Sequence, residues 1–186
     1  SIEFDEEFLR NSFFQNLQNP YFTQINGNQR ADALNIARAS SVFHPTSLKI
    51  LDVKKQFSLE NLAKANNIDH SNAHDAMADV ETTIDICRII KKKAPELWIR
   101  SLETSSKNYV SNYVQDRDIL CHHEAYYGKV YTYVTTHIGS YHNQNKAEIN
   151  LFFDLKRDPR ELLDLSRAEL KQLNSDSKTK FLRTRR

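Results

Sequence analysis

Apolar residues recur at helical spacing in the first segment of the chain. The positions on the apolar face are Phe8, Leu9, Phe13 and Leu17. Asp5 stands in front of this pattern, where a carboxylate can cap a helix, and Pro20 ends it. The short apolar run "IEF" before Asp5 suggests a strand. We therefore expect Asp5 to lie at a strand-to-helix junction.

Three further helices are predicted in the first hundred residues. "QRADALNIARASSVF" places Leu34, Ala37 and Ser41 on one face before Pro45 ends it. In "SLENLAKANN", Ser58 can cap the start, and Asn66 or Asn67 can take the left-handed turn at the end. The longest helix runs from about residue 73 to 93, and its expected buried stripe consists of Ala76, Val80, Thr83, Ile84, Cys87 and the neighbourhood of Ile90.

The pattern changes to a β-rich texture after "SLETSSKN". "YVSNYV", "AYYGKVYTYVTTHI" and "EINLFFDL" are predicted strands, a short helix follows in "RAELKQL", and the basic "KTKFLRTRR" is expected to be mobile. The sequence thus predicts an α/β domain over residues 1–100 and a β-rich domain over residues 105–186.

Composition excludes several classes of protein. The formal net charge of +2 does not point to nucleic acid or membrane, so any basic surface must be local. Cys87 and Cys121 lack CxxC spacing, which favours a reducing compartment over a disulfide or zinc framework. No apolar run reaches the roughly 20 residues that span a bilayer, and Ser1 opens no signal-peptide pattern. We expect a cytoplasmic protein that does not contact the membrane.

The stretch "NIDHSNAHDAMADVETT" gathers ionisable residues at the start of the longest helix. One interpretation is structural, because acidic residues in a first turn complement the helix dipole. A second takes the adjacent His74 and Asp75 as the ligand pair of a metal phosphohydrolase, which would need further histidines that the upstream chain hardly offers. A third takes Asp79 as a Mg²⁺ or Mn²⁺ ligand and His74 as a general base.

The residues of this stretch also carry a family resemblance. "SLENLAKANNIDHSNAHDAMADVETT" closely resembles the third exonuclease motif of bacterial exonuclease I, a 3′ to 5′ exonuclease of single-stranded DNA in the DEDD superfamily. "IEFDEEFLRNSFFQNLQNPY" resembles that family's second motif, and "LFFDLKRDPRELLDLSRAEL" its SH3-like domain. The resemblance implies the C-terminal part of an RNase H-like exonuclease domain, followed by a β-rich SH3-like domain.

The resemblance also implies roles for individual residues. Asp79 matches the third-motif metal ligand, His74 the general base, and Asp5 the second-motif carboxylate that supports a second ion. The implied cofactor is a pair of Mg²⁺ ions, for which Mn²⁺ can substitute. Asp75 is left as a residue of the helix start, and His70 as structural.

A DNA track follows from the same resemblance. The positions that match it are Arg10, Tyr21, Arg38, Asn72 and Lys107. Arginine and lysine would neutralise phosphates, and an aromatic ring would stack on any base. The family further implies a monomer that works near the bacterial nucleoid and binds the acidic tail of the single-stranded-DNA-binding protein.

The family's first motif, a D-x-E pair at the end of the first strand of its sheet, has no counterpart in this chain. We therefore expect an internal fragment, inactive alone, of a protein that releases 5′-mononucleotides in DNA repair and recombination. Its second domain would be incomplete at the basic C-terminus. A non-catalytic module that binds single-stranded DNA, or an accessory module, is the alternative, and the metal phosphohydrolase is a weaker one.

Overall fold

The computed structural model describes residues 2–70, 75–144, 146, 148–175 and 182–185. Within it the chain divides into two compact units. One, called here the helical unit, comprises residues 1–110 and 125–130, and the other, the sheet unit, comprises residues 111–124 and 131–186. No helix of the described residues is long and apolar enough to cross a membrane.

The first 115 residues are helical wherever they form regular structure in the described ranges. The helices are α1 (Ile2–Gln15), α2 (Ala33–Phe43), α3 (Leu59–Asn66), α4 (Ala76–Lys93), α5 (Pro95–Glu103) and α6 (Lys107–Gln115), with a 3₁₀ turn at Phe22–Gln24. Ser58 caps α3, as predicted, by accepting a hydrogen bond from the Asn61 amide at 3.3 Å. Asn67 ends it in the left-handed conformation with φ 57°, also as predicted.

The core of the helical unit lies where α2, α3 and α4 meet. It is formed by Ile36, Ala37, Leu48, Leu62, Ile86 and Ile90. On α4 the buried positions are Thr82, Ile86 and Ile90, whereas Val80 and Ile84 are 52% and 43% exposed. The predicted stripe is therefore confirmed at Ile90 and wrong for Val80 and Ile84, and also for Ala76, which is exposed. The helix carries two apolar faces at four-residue spacing, and periodicity alone does not say which one packs.

The expected strand before Asp5 is also wrong. Helix α1 already begins at Ile2, so Asp5 is the fourth helical residue and not its cap. A helix satisfies its own backbone hydrogen bonds, whereas an extended "IEF" would need a neighbouring strand. Asp5 still lies near the N-terminal end of α1, where a carboxylate suits the dipole.

The sheet unit is built on a four-stranded sheet in the order β1-β2-β3-β4. The strands are β1 (Leu120–Tyr126), β2 (Lys129–His142), β3 (Glu148–Asp154) and β4 (Leu182–Arg185), with α7 (Arg160–Leu163) and α8 (Arg167–Ser175) between the last two. β2 pairs antiparallel with β3, and the register shifts between His137 and Gly139. The predicted strands that became β2 and β3 are confirmed, as is the helix in "RAELKQL".

Two predictions for this part of the chain are wrong. "YVSNYV" lies in α6, because its apolar residues recur every four positions and Val114 is buried there. The tail is not wholly mobile, since Leu182–Arg185 forms β4 and pairs antiparallel with β3. A sheet edge offers backbone hydrogen bonds that need no apolar side chains of the added strand. The other residues of "KTKFLRTRR" lie outside the described ranges.

Candidate functional site

The start of α4 places two of the carboxylates singled out in the sequence. Asp75 is the N-cap, and its side chain accepts hydrogen bonds from the amides of Met77 and Ala78, both at 3.1 Å. Asp79 follows one turn later, with its side chain 41% exposed. Asp75 is thus used by the helix itself, whereas the Asp79 carboxylate reaches solvent.

His70 contacts Asp79 from the segment that precedes α4. Its Nε2 lies 3.6 Å from Asp79 Oδ1, and its Nδ1 lies 3.0 Å from the hydroxyl of buried Thr82. When the Thr82 hydroxyl donates to Nδ1, the ring carries its proton on Nε2 and directs it at Asp79. The 3.6 Å separation is a contact and not a hydrogen bond, and it places the His70 ring beside the Asp79 carboxylate.

His74 and Asn72 lie outside the described residues. Their expected roles as general base and DNA contact stay predictions. Residues 71–74 lie outside the described ranges, and the described chain resumes at Asp75, the N-cap of α4.

Asp5 lines a cleft of about 640 Å³ in the helical unit. Its polar lining includes Glu6 and Arg30, and Thr83 of α4 contributes to it as well. The Thr83 hydroxyl donates to the Asp79 backbone carbonyl at 2.8 Å. α1 and α4, the helices that carry the two expected metal ligands, therefore both contribute to this cleft, although Asp79 itself does not line it.

Glu6, the neighbour of Asp5, is a buried carboxylate with four partners. Its Oε1 accepts hydrogen bonds from the Thr23 hydroxyl at 3.1 Å and the Gln24 amide at 3.0 Å, and it pairs with Arg10 Nη2 at 3.1 Å. Its Oε2 pairs with Arg30 Nη1. The residue is only 8% exposed, so its charge is compensated by two guanidinium groups instead of water.

The structure brings together two of the residues expected to contact DNA. The Arg10 guanidinium carbon lies 5.5 Å from the centre of the Tyr21 ring, a cation–π contact. Both side chains remain open to solvent, Arg10 at 40% and Tyr21 at 56%. Lys107 is exposed at the start of α6, and Arg38 of α2 has its Nη1 3.5 Å from Asn35 Oδ1.

The donor chemistry suits a hard cation without completing its site. Among the described residues, no three histidine, cysteine, aspartate or glutamate side chains converge as a metal site would require. Asp5 and Asp79 supply carboxylate oxygens, and Mg²⁺ is commonly held by one or two carboxylates together with water and substrate phosphates. Each of these two residues therefore offers an oxygen donor of the kind that Mg²⁺ takes, although the described residues form no complete site.

Comparison with known proteins places this geometry in context. No family model matches the chain. Exodeoxyribonuclease I of Buchnera aphidicola subsp. Acyrthosiphon pisum is 33% identical over 171 residues, which is 89% of this chain and 41% of that protein. Exodeoxyribonuclease I of Escherichia coli strain K12 is 40% identical over 102 residues, 53% of this chain and 22% of that protein. This chain is homologous to part of bacterial exodeoxyribonuclease I.

The fold agrees with that homology. E. coli exonuclease I in complex with a dT13 oligonucleotide superposes with a TM-score of 0.73 at 27% identity, over 99% of this chain and 42% of the other. The resemblance to exonuclease I and the mixed helix-and-sheet fold are thus confirmed. The chain spans about two fifths of the length of the Buchnera relative and of this E. coli structure.

Two residues of the site were not anticipated from the sequence. Glu6 and Arg30 are 24 positions apart and meet only in the folded chain, so no local spacing signals their pairing. The signal that was present lies beside Asp5, where the run Asp5-Glu6-Glu7 offers three carboxylates at a helix start. The helical periodicity of α1 could have distinguished an inward-facing Glu6 and its partner Arg10 one turn later. It could not have identified Arg30, which comes from outside the helix.

Proposed function

We propose that this chain is part of a metal-dependent exonuclease that releases 5′-mononucleotides from the 3′ end of single-stranded DNA. The observation that carries the proposal is the similarity to exodeoxyribonuclease I over 89% of the chain, together with a structural match to E. coli exonuclease I that covers 99% of it and so includes both carboxylate-bearing helices. The exposed Asp79 beside His70, the cleft lined by Asp5, and the Arg10–Tyr21 pair support it.

We propose the following roles for the residues that would hold the DNA strand. Arg10 would neutralise a backbone phosphate while Tyr21 stacks on a base or sugar, so the strand is held without regard to its sequence. Arg38, Asn72 and Lys107 would extend this track.

Asp79 and Asp5 would hold the metal, and His74 would take the proton from the attacking water. When bound, a pair of Mg²⁺ ions activates that water and stabilises charge on the leaving oxygen.

The chain alone is expected to be inactive. Its two candidate carboxylates make only a partial ligand set, and no strand among the described residues ends in the family's D-x-E pair. Hydrolysis would then require a longer protein, of about the length of the relatives, and not this chain alone. A non-catalytic DNA-binding module is the alternative if that longer protein also lacks the pair.

Cofactor and partner follow the same homology. An E. coli exonuclease I–single-stranded-DNA complex has been solved in a zinc-bound form, which supports a divalent metal, and we propose Mg²⁺, with Mn²⁺ as a substitute. An ExoI/SSB-Ct complex has also been solved, with a TM-score of 0.70 and 26% identity to this chain. We accordingly propose that the acidic tail of the single-stranded-DNA-binding protein is a partner, in the bacterial cytoplasm near the nucleoid, during repair and recombination.

The polarity and metal dependence of the full-length protein test this function. Because hydrolysis starts at the 3′ end, a label on the 3′ nucleotide should be released at once as a mononucleotide, whereas a 5′ label should pass through a ladder of shortening products. EDTA should stop both reactions, and Mg²⁺ should restore them. Circular single-stranded DNA, which has no end, should stay intact as the control. Early loss of a 5′ label, or cleavage of the circle, would contradict the proposal.

A further inference from the structure

The four partners of Glu6 engage both oxygens of its carboxylate. Thr23, Gln24 and Arg10 meet Oε1, and Arg30 meets Oε2. A carboxylate that is buried and paired with two guanidinium groups in this way is a poor candidate for a metal ligand or a proton acceptor. Its function must lie in what it holds.

What Glu6 holds is one of the two groups in the exposed cation–π pair. Arg10 lies one helical turn after Glu6 on α1, and its Nη2 meets the carboxylate at 3.1 Å. The same guanidinium lies over the ring of Tyr21, which is the N-cap of the 3₁₀ turn Phe22–Gln24. Thr23 and Gln24 of that turn are themselves bonded to Glu6. One carboxylate therefore fixes both the guanidinium and the segment that carries the ring.

We propose that Glu6 is a positioning residue that holds Arg10 against Tyr21, so that the two form one preorganised contact for a phosphate and its adjoining base. The inference rests on the proposed function, since it assumes that the strand lies on this pair. Binding would then avoid the entropic cost of ordering a long arginine side chain. Arg30 neutralises the negative charge of Glu6, so the positive charge of Arg10 can still attract a phosphate of the DNA backbone.

Charge alone predicts the opposite effect for Glu6. A negative charge beside a DNA-contacting arginine repels phosphates, so its removal should tighten binding if electrostatics were the whole role. The positioning role predicts weaker binding, because Arg10 loses its anchor. The two explanations therefore differ in sign, and the Glu6→Gln substitution, which preserves shape, separates them.

A double-mutant cycle on the full-length protein tests the inference. The measurement is the dissociation constant for a 5′-fluorescein oligo-dT, by fluorescence anisotropy in EDTA so that no strand is cut. We expect Glu6→Gln to weaken binding about 5-fold and Arg10→Ala about 10-fold, with the double variant no weaker than Arg10→Ala alone. A merely structural role of Glu6 would weaken binding equally in both backgrounds.

Two further variants complete the design. Glu7→Gln removes the same charge from the exposed neighbour on α1 and should leave the affinity unchanged. Arg10→Lys keeps the charge but loses the planar fork, so it should bind nearly as weakly as Arg10→Ala. This variant serves as the test if Glu6→Gln lowers the thermal unfolding midpoint too far for measurement.

Specific outcomes would overturn the inference. They are unchanged or tighter binding by a folded Glu6→Gln variant, equal loss in both backgrounds, or wild-type affinity of Arg10→Lys. In each of these cases the parent still binds DNA, so the proposed function stands while the role of Glu6 falls. Failure of the parent protein itself to bind the oligonucleotide would instead overturn both.

Discussion

Asp5 and Glu6 are adjacent carboxylates of α1 with opposite environments. Asp5 is exposed and lines the cleft, whereas Glu6 is 8% exposed and engaged by two arginines. The sequence pointed to Asp5 through its match to a family motif, and this stays a prediction. The structure supports the choice of Asp5 over Glu6, because the Glu6 carboxylate is buried and a cation would have to displace its two guanidinium partners.

The two cysteines, Cys87 and Cys121, also differ in burial, and this difference predicts different reactivities. Burial raises the pKa of the Cys87 thiol, whereas Cys121 is exposed. Because the thiolate is the reacting form, Cys87 should react with an aromatic disulfide reagent at least about 10-fold more slowly at neutral pH. Its rate should keep rising above the pH at which an ordinary thiol has ionised.

Stopped-flow absorbance on the Cys87→Ser and Cys121→Ser variants isolates each thiol. Equal rates for the two would show that Cys87 is not protected by the helical unit.

At the scale of elements, local chemistry was readable from the sequence and long-range packing was not. Ser58 and Asn67 were predicted as caps because a cap is set by residues a few positions away. The buried side of α4 depends on Leu48 and Leu62 from elsewhere in the chain, so the pattern selected Val80 and Ile84 wrongly. The strand expected before Asp5 failed for the same reason, since strands depend on distant partners.

The packed face of α4, which carries Thr82, Ile86 and Ile90, can be tested with a matched pair of substitutions. Ile90 is 0% exposed and Ile84 is 43% exposed on the same helix. Ile90→Ala should lower the free energy of unfolding by about 2–5 kcal/mol, because it removes buried methyl groups and leaves a cavity.

Ile84→Ala should change that free energy by no more than about 0.5 kcal/mol, since its side chain is partly solvated already. Urea unfolding of this chain, followed by circular dichroism, measures both. A larger loss for Ile84→Ala than for Ile90→Ala would show that the side of α4 that carries Val80 and Ile84 is the packed one.

At the scale of the whole molecule, the order of helical and β-rich parts was predictable, but two segments were not. α6 was taken for a strand although its apolar residues recur every four positions, and β4 was taken for a mobile tail. Strand β4 exists through pairing with β3, a contact that composition cannot reveal. The site likewise brings Glu6, Arg10, Tyr21 and Arg30 together from two separate stretches of chain, which explains why only the resemblance led to part of it.

The central claim is that Asp79 is a metal ligand of a single-strand exonuclease, and the rate of nucleotide release by the full-length protein tests it most directly. Asp79→Asn should lower that rate at saturating Mg²⁺ by at least about 100-fold, because an amide is a much weaker ligand than a carboxylate. The matched control is Asp85→Asn, on the same helix, where the carboxylate pairs with exposed Arg88 at 2.9 Å. It should retain the parent rate within about twofold. An Asp79→Asn protein as active as the Asp85→Asn control would contradict the account.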